Sequence, residues 1–169
     1  MKGESIMYDK FGEMGSAEEL NELAENLKNE GDLEGLKTMA EENGIPADYV
    51  ELFQEGAIPY LCDTITAANG KLDVESKALG LKGLMLDWVE YIRALCLEKD
   101  GMAAAVRKKG KALSDCMGTL LKYSFENRMG VDKKIIDAAK IKASRVDFGV
   151  PGLGEAKKMI REFYLGGAE

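Results

Sequence analysis

From Ser16 onward the apolar residues of this chain recur three and four positions apart, and that spacing commits the N-terminal region to amphipathic helices. Ser16, with Glu18 and Glu19 in the turn that follows, reads as an N-cap. Leu20, Leu23, Ala24 and Leu27 then form the buried stripe of a helix that closes near Glu30 and Gly31. Asp32 caps a second helix striped by Leu33, Leu36, Met39 and Ala40, which Asn43 and Gly44 end. Pro46 opens a third, short helix through Phe53. The first two helices match at an offset of sixteen residues, Glu18 with Glu34, Leu20 with Leu36 and Leu23 with Met39, which suggests a helical hairpin.

Gly56 to Pro59 and Asn69 to Gly70 are the strongest breaks, so an acidic unit over 1–60 is expected to give way to a main unit over 61–169. In the latter, Leu84 to Leu97 is too apolar for one exposed stripe and reads as the central core helix, with Trp88 as its anchor. Gly110 kinks or splits the next stretch, after which Leu113, Met117, Leu120, Leu121, Ser124 and Phe125 make a long stripe. Asp132 caps a helix that turns Ile135, Ile136 and Ala139 inward and Lys133, Lys134, Lys140 and Lys142 outward. Arg145 to Gly154 reads as a loop or one short strand before a closing helix, Glu155 to Tyr164. The expected fold class is all-α: a helical bundle with a smaller acidic N-terminal helical hairpin unit.

Composition narrows the chemistry. With 46% hydrophobic and 31% charged residues and only 3 Pro, the 169-residue chain has the makeup of a folded domain. It contains no histidine, which removes histidine-based triads, the common zinc sites and the usual proton shuttle. Cys62, Cys96 and Cys116 share no metal-ligand spacing and read as reduced, buried thiols. Gly149, Gly152 and Gly154 lack the strand–helix–strand setting of a dinucleotide site. No catalytic, metal or cofactor-binding residue is expected, and the chain is read as a non-enzyme. Met1 to Lys10 lacks the apolar stretch of a signal peptide and no long apolar run follows, so a cytoplasmic protein without a membrane partner is expected.

The charge is segregated. Residues 1–60 hold 15 acids and 4 bases, a net of −11, whereas 61–169 hold 15 acids and 19 bases, a net of +4. Such asymmetry is an argument about partners: a basic face meets phosphates, and an acidic helical face fits a positively charged groove. The alternative is that the two faces lie against each other and neutralise internally.

Several segments are shared in order with a known class: Tyr8 to Phe11, Ser16 to Gly31, Leu36 to Gly44, the Trp88 helix, Ala103 to Cys116, and Lys157 to Gly166 with Arg161, Glu162, Tyr164 and Leu165. The chain resembles, over nearly its whole length, small anti-CRISPR proteins of bacterial mobile elements that inhibit type II effector nucleases. The resemblance implies a stoichiometric inhibitor that binds the RNA-guided nuclease, with double-stranded DNA as a further partner. It implies that Glu18, Glu22, Glu25, Glu34, Glu41 and Glu42 sit where phosphates would. It gives Arg107, Lys108, Lys109, Lys111, Lys133 and Lys134 the task of meeting duplex DNA or an acidic patch on the nuclease. The competing expectation is a nucleic-acid-binding accessory protein of a phage, plasmid or conjugative element, in which the Lys133 helix followed by the Lys157 helix superficially resembles a helix-turn-helix whose connecting loop is longer than the usual turn.

Overall fold

The computed structural model describes residues 7–166. The first residues of the Met1–Lys10 stretch and the outer ends of the ranges 1–60 and 61–169 lie outside them. Among the described residues the chain is an all-α protein of nine helices with one short two-stranded ribbon. It divides into two compact units, Met1–Ser114 and Asp115–Glu169. The expected boundary at 60/61 therefore falls inside the first unit. The reason is a continuous core: Leu20, Ala24, Leu36, Met39, Val50 and Phe53 belong to one buried cluster with Leu61, Cys62 and Ala67.

In the first unit, α1 (Ala17–Asn29) starts where the Ser16 hydroxyl accepts from the Glu19 amide at 3.1 Å, while the Glu19 carboxylate reaches back to the Gly15 amide at 2.8 Å. α2 (Leu33–Glu42) starts at Asp32, which accepts from the Gly35 amide at 2.8 Å. α1 packs on α2, and α2 on α3 (Ala47–Gln54), as the hairpin pattern implies. Leu33, expected in the buried stripe, is instead exposed.

α4 (Thr64–Leu79) runs straight through the Asn69–Gly70 break. Gly70 is there because two backbones meet: a Cβ on it would stand 2.5 Å from the Asn43 carbonyl oxygen, and one on Gly44 would stand 2.2 Å from the Gly70 oxygen. Close approach, rather than a chain break, is what the glycine provides. α5 (Leu84–Glu98) buries Trp88, Val89, Ile92, Leu95 and Cys96, so Trp88 is a core anchor, although Leu84, Leu86 and Leu97 stay exposed. Burying each such large side chain contributes roughly 1.5–3 kcal/mol. α6 (Met102–Arg107) closes this layer against α4 and α5, and Gly110, in the left-handed region at φ +81°, separates it from α7 (Leu113–Glu126).

In the second unit α7 buries Cys116, Met117 and Leu120, while Leu121 and Phe125, expected on the same stripe, are exposed. β1 (Met129–Gly130) pairs antiparallel with β2 (Asp147–Phe148), Met129 opposite Phe148. Between them α8 (Lys133–Ala138) buries Ile136 alone; Ile135 and Ala139 are exposed, contrary to expectation, because six residues give room for a single inward position. α9 (Leu153–Leu165) buries Ala156, Ile160 and Tyr164. α8 is too short, and residues 139–152 too long a connection, for a helix-turn-helix.

Candidate functional site

The acidic surface belongs to α1 and α2. Glu18, Glu22 and Glu25 follow one another by four and three residues along α1, and all are exposed. At 1.5 Å per residue their spacing along the axis is about 6 and 4.5 Å, a row of anions on the scale of a nucleic-acid strand. Glu34 and Glu41 are exposed on α2, with Lys37 3.6 Å from Glu34. Beside this row lies an open depression of about 470 Å³ between α1 and the segment before it, floored by the half-buried Phe11, Met14 and Leu23 and edged by Glu19, Glu22, Asn26 and Lys10, whose ammonium stands 5.3 Å from the Phe11 ring centroid. An apolar floor bordered on the α1 side by Glu19 and Glu22 suits a basic, amphipathic surface of another protein.

Glu42 departs from the expected set. It is half-buried, and its carboxylate accepts from the amides of Lys10 at 2.7 Å and Phe11 at 2.9 Å. It thereby fastens residues 7–15 as a strap across the unit. Met14 donates its amide to Asn43 Oδ1 at 3.3 Å, continuing the attachment.

Arg107 is a correction of larger consequence. Expected on the basic surface, it is fully buried. Its Nε donates to the Met14 carbonyl at 2.8 Å, and its Nη1 donates to the carbonyls of Asn43 at 3.2 Å and Ala67 at 3.1 Å. Nη2 donates to Asn43 Oδ1. One guanidinium thus ties the strap, the end of α2 and the start of α4 to α6. Burial pulls its pKa down, while Tyr8, Cys62, Glu13 and Glu75 act to hold it up. Five donors in a planar fork match scattered carbonyls as no lysine would.

Two further charged groups lie inside this unit. Lys71 donates to Glu13 Oε1 at 2.6 Å and to the Lys108 carbonyl at 2.8 Å. The Glu75 carboxylate accepts from the Leu113 amide at 3.2 Å, and burial raises its pKa against the pull of Lys71 and of that hydrogen bond. Nothing in the sequence spacing of Lys71 or Glu75 marks them off from surface charges.

The remaining basic residues divide. Lys108 and Lys109 are exposed and Lys111 half-buried after α6, in the first unit; Lys133 and Lys134 are exposed on α8, in the second. By unit, residues 1–114 carry 22 acids and 13 bases, a net of −9, and 115–169 carry 8 acids and 10 bases, a net of +2. The opposition of sign survives the new boundary.

Cys62, Cys96 and Cys116 are free and buried, and burial pushes the Cys62 and Cys96 thiols up to about 11. No group of three or more Cys, Asp or Glu is placed to hold a metal ion among the described residues. No helix among them is long and apolar enough to cross a membrane. What these units define is a helical protein with an acidic, apolar-floored surface. No family model, curated protein or solved structure matches the chain.

Proposed function

We propose that this chain is a stoichiometric protein inhibitor of a type II RNA-guided nuclease, acting in the cytoplasm by occupancy and without chemistry of its own. Such nucleases hold nucleic acid in positively charged channels. The observation that carries the reading is the exposed row Glu18, Glu22 and Glu25 beside an open depression floored by Phe11, Met14 and Leu23. The carboxylates supply the charge that such a channel attracts, and the apolar floor supplies area to desolvate. The resemblance of the segment order to inhibitors of this class points the same way.

The test is cleavage of target DNA by a guide-loaded type II nuclease as this protein is titrated in. Inhibition that saturates at a fixed molar ratio supports the reading. An unchanged cleavage rate with the protein in excess removes it. A second reading, a nucleic-acid-binding accessory protein of a mobile element, rests on other residues: seven exposed cations of 122–145, on the second unit.

A further inference from the structure

The second unit carries a surface in which aromatic rings stand among cations. Phe125 and Phe148 are 67% and 65% exposed, and Leu121, Met129 and Val150 are exposed with them. Single exposed apolar residues are ordinary; a cluster of them asks for a partner. Met129 faces Phe148 across the ribbon, so their side chains leave it on the same side. Gly149 then presses on α7, where a Cβ would stand 2.0 Å from the Ser124 carbonyl oxygen and 3.0 Å from Arg128 Cγ. Phe125 adjoins Ser124 and Phe148 adjoins Gly149 in the chain, so the backbones that carry the two exposed rings come close to each other at the C-terminal end of α7. The Arg128 guanidinium lies over the Phe125 ring, 4.6 Å from its centroid.

The segment 122–145 of the same unit contains 7 bases and 3 acids, and all seven bases are exposed. Lys122 has Glu126 at 4.0 Å and Arg145 has Asp147 at 3.0 Å. Lys133, Lys134, Lys140 and Lys142 have no ion pair among the described residues.

We propose that this end of the second unit binds single-stranded nucleic acid, the lysines taking phosphates while Phe125 and Phe148 stack on unpaired bases. This goes beyond the inhibitor reading and sharpens the second one. A duplex keeps its base faces inside the stack, where exposed rings gain nothing from them. It is read by an element long enough to enter a groove, whereas Lys133, Lys134, Lys140 and Lys142 sit on the six-residue α8 and the segment after it, not on the longer α7 or α9. A second copy would bring like charges together across a twofold axis. An anionic membrane favours one continuous amphipathic helix, and here the apolar residues are spread over α7, the ribbon and the segment after it.

The experiment is fluorescence anisotropy of the full chain with a labelled oligothymidylate of about 20 nucleotides, against a duplex of equal length, with no nuclease present. The single strand binds at low salt. With a phosphate contact from each of the four lysines, affinity falls about 50-fold between 50 and 200 mM salt. Phe125→Ala and Phe148→Ala each weaken it about 5- to 150-fold with an unchanged circular dichroism spectrum. Four outcomes overturn the proposal: no binding at 50 mM salt, a duplex bound as tightly as the strand, phenylalanine variants that bind like wild type while Lys133→Glu with Lys134→Glu does not, or a dimer that Phe125→Ala dissolves. Anionic vesicles bound with the same dependence on the two rings would overturn it as well. None of these touches the inhibitor reading, whose assay requires the nuclease.

Discussion

Replacing Arg107 by alanine removes the one side chain that joins four parts of the first unit. Its donors serve the carbonyls of Asn43 and Ala67 and the Asn43 amide oxygen, all buried, and the carbonyl of the half-buried Met14. A buried acceptor left without a donor costs about 1–3 kcal/mol. Part of that is offset because the guanidinium need no longer be desolvated. A net loss of about 3–5 kcal/mol follows, a large share of the roughly 5–15 kcal/mol that holds a domain folded. With a urea dependence of about 2 kcal/mol per molar, the midpoint falls by about 2 M. Trp88, the single tryptophan and buried in this unit, reports the transition by fluorescence. Lys108→Ala and Lys109→Ala, one and two residues on and exposed, should stay within about 0.5 kcal/mol of wild type. Arg107→Lys, which keeps the charge and loses the fork, should fall between. An Arg107→Ala midpoint indistinguishable from that of Lys109→Ala would show that the buried guanidinium does not hold these segments together.

Other expectations follow from the same interior. Gly70→Ala gains about 1 kcal/mol of helix propensity yet places a methyl 2.5 Å from the Asn43 carbonyl, so its melting temperature should drop, and a rise would contradict the close approach. Glu75 has a folded pKa raised above its unfolded one, so its contribution is fully present below the unfolded value and is lost as pH rises through the folded value. Glu75→Gln should therefore stabilise progressively more from pH 4 to pH 8 in thermal melts, and an effect independent of pH would exclude this origin. Cys62 and Cys96, buried with thiols near 11, should react with a maleimide only slowly in the native protein and quickly in urea. Rapid native labelling would show that they are accessible.

The helices of the hairpin were legible because their caps are local: Ser16 and Asp32 act on amides three residues away. Trp88 and its helix were legible for a similar reason, their periodicity being strong enough to survive any packing. What failed was long-range. Gly70 looks like a break in sequence and is a contact with Asn43 and Gly44, and no local pattern separates the two. Arg107 sits in a run of four bases, Arg107, Lys108, Lys109 and Lys111, yet it is the last residue of α6, on the side facing α4. The pattern did hold a clue, since Met102, Ala103, Val106 and Arg107 share a helical stripe at the spacing of one buried face. Phe125 lies off the α7 stripe: buried positions 113, 116, 117 and 120 lead to the half-buried Ser124, one residue before it.

In the proposed inhibition the acidic row of α1 competes with nucleic acid for a nuclease channel. Its most direct test is anisotropy of labelled target DNA bound to the guide-loaded nuclease, as wild-type protein or the triple variant Glu18→Lys, Glu22→Lys, Glu25→Lys is added. Wild type should displace the DNA at one equivalent, and the variant, whose substitutions are all at exposed positions and should leave the circular dichroism spectrum unchanged, should not. Displacement by both to the same extent, or by neither, would contradict the claim.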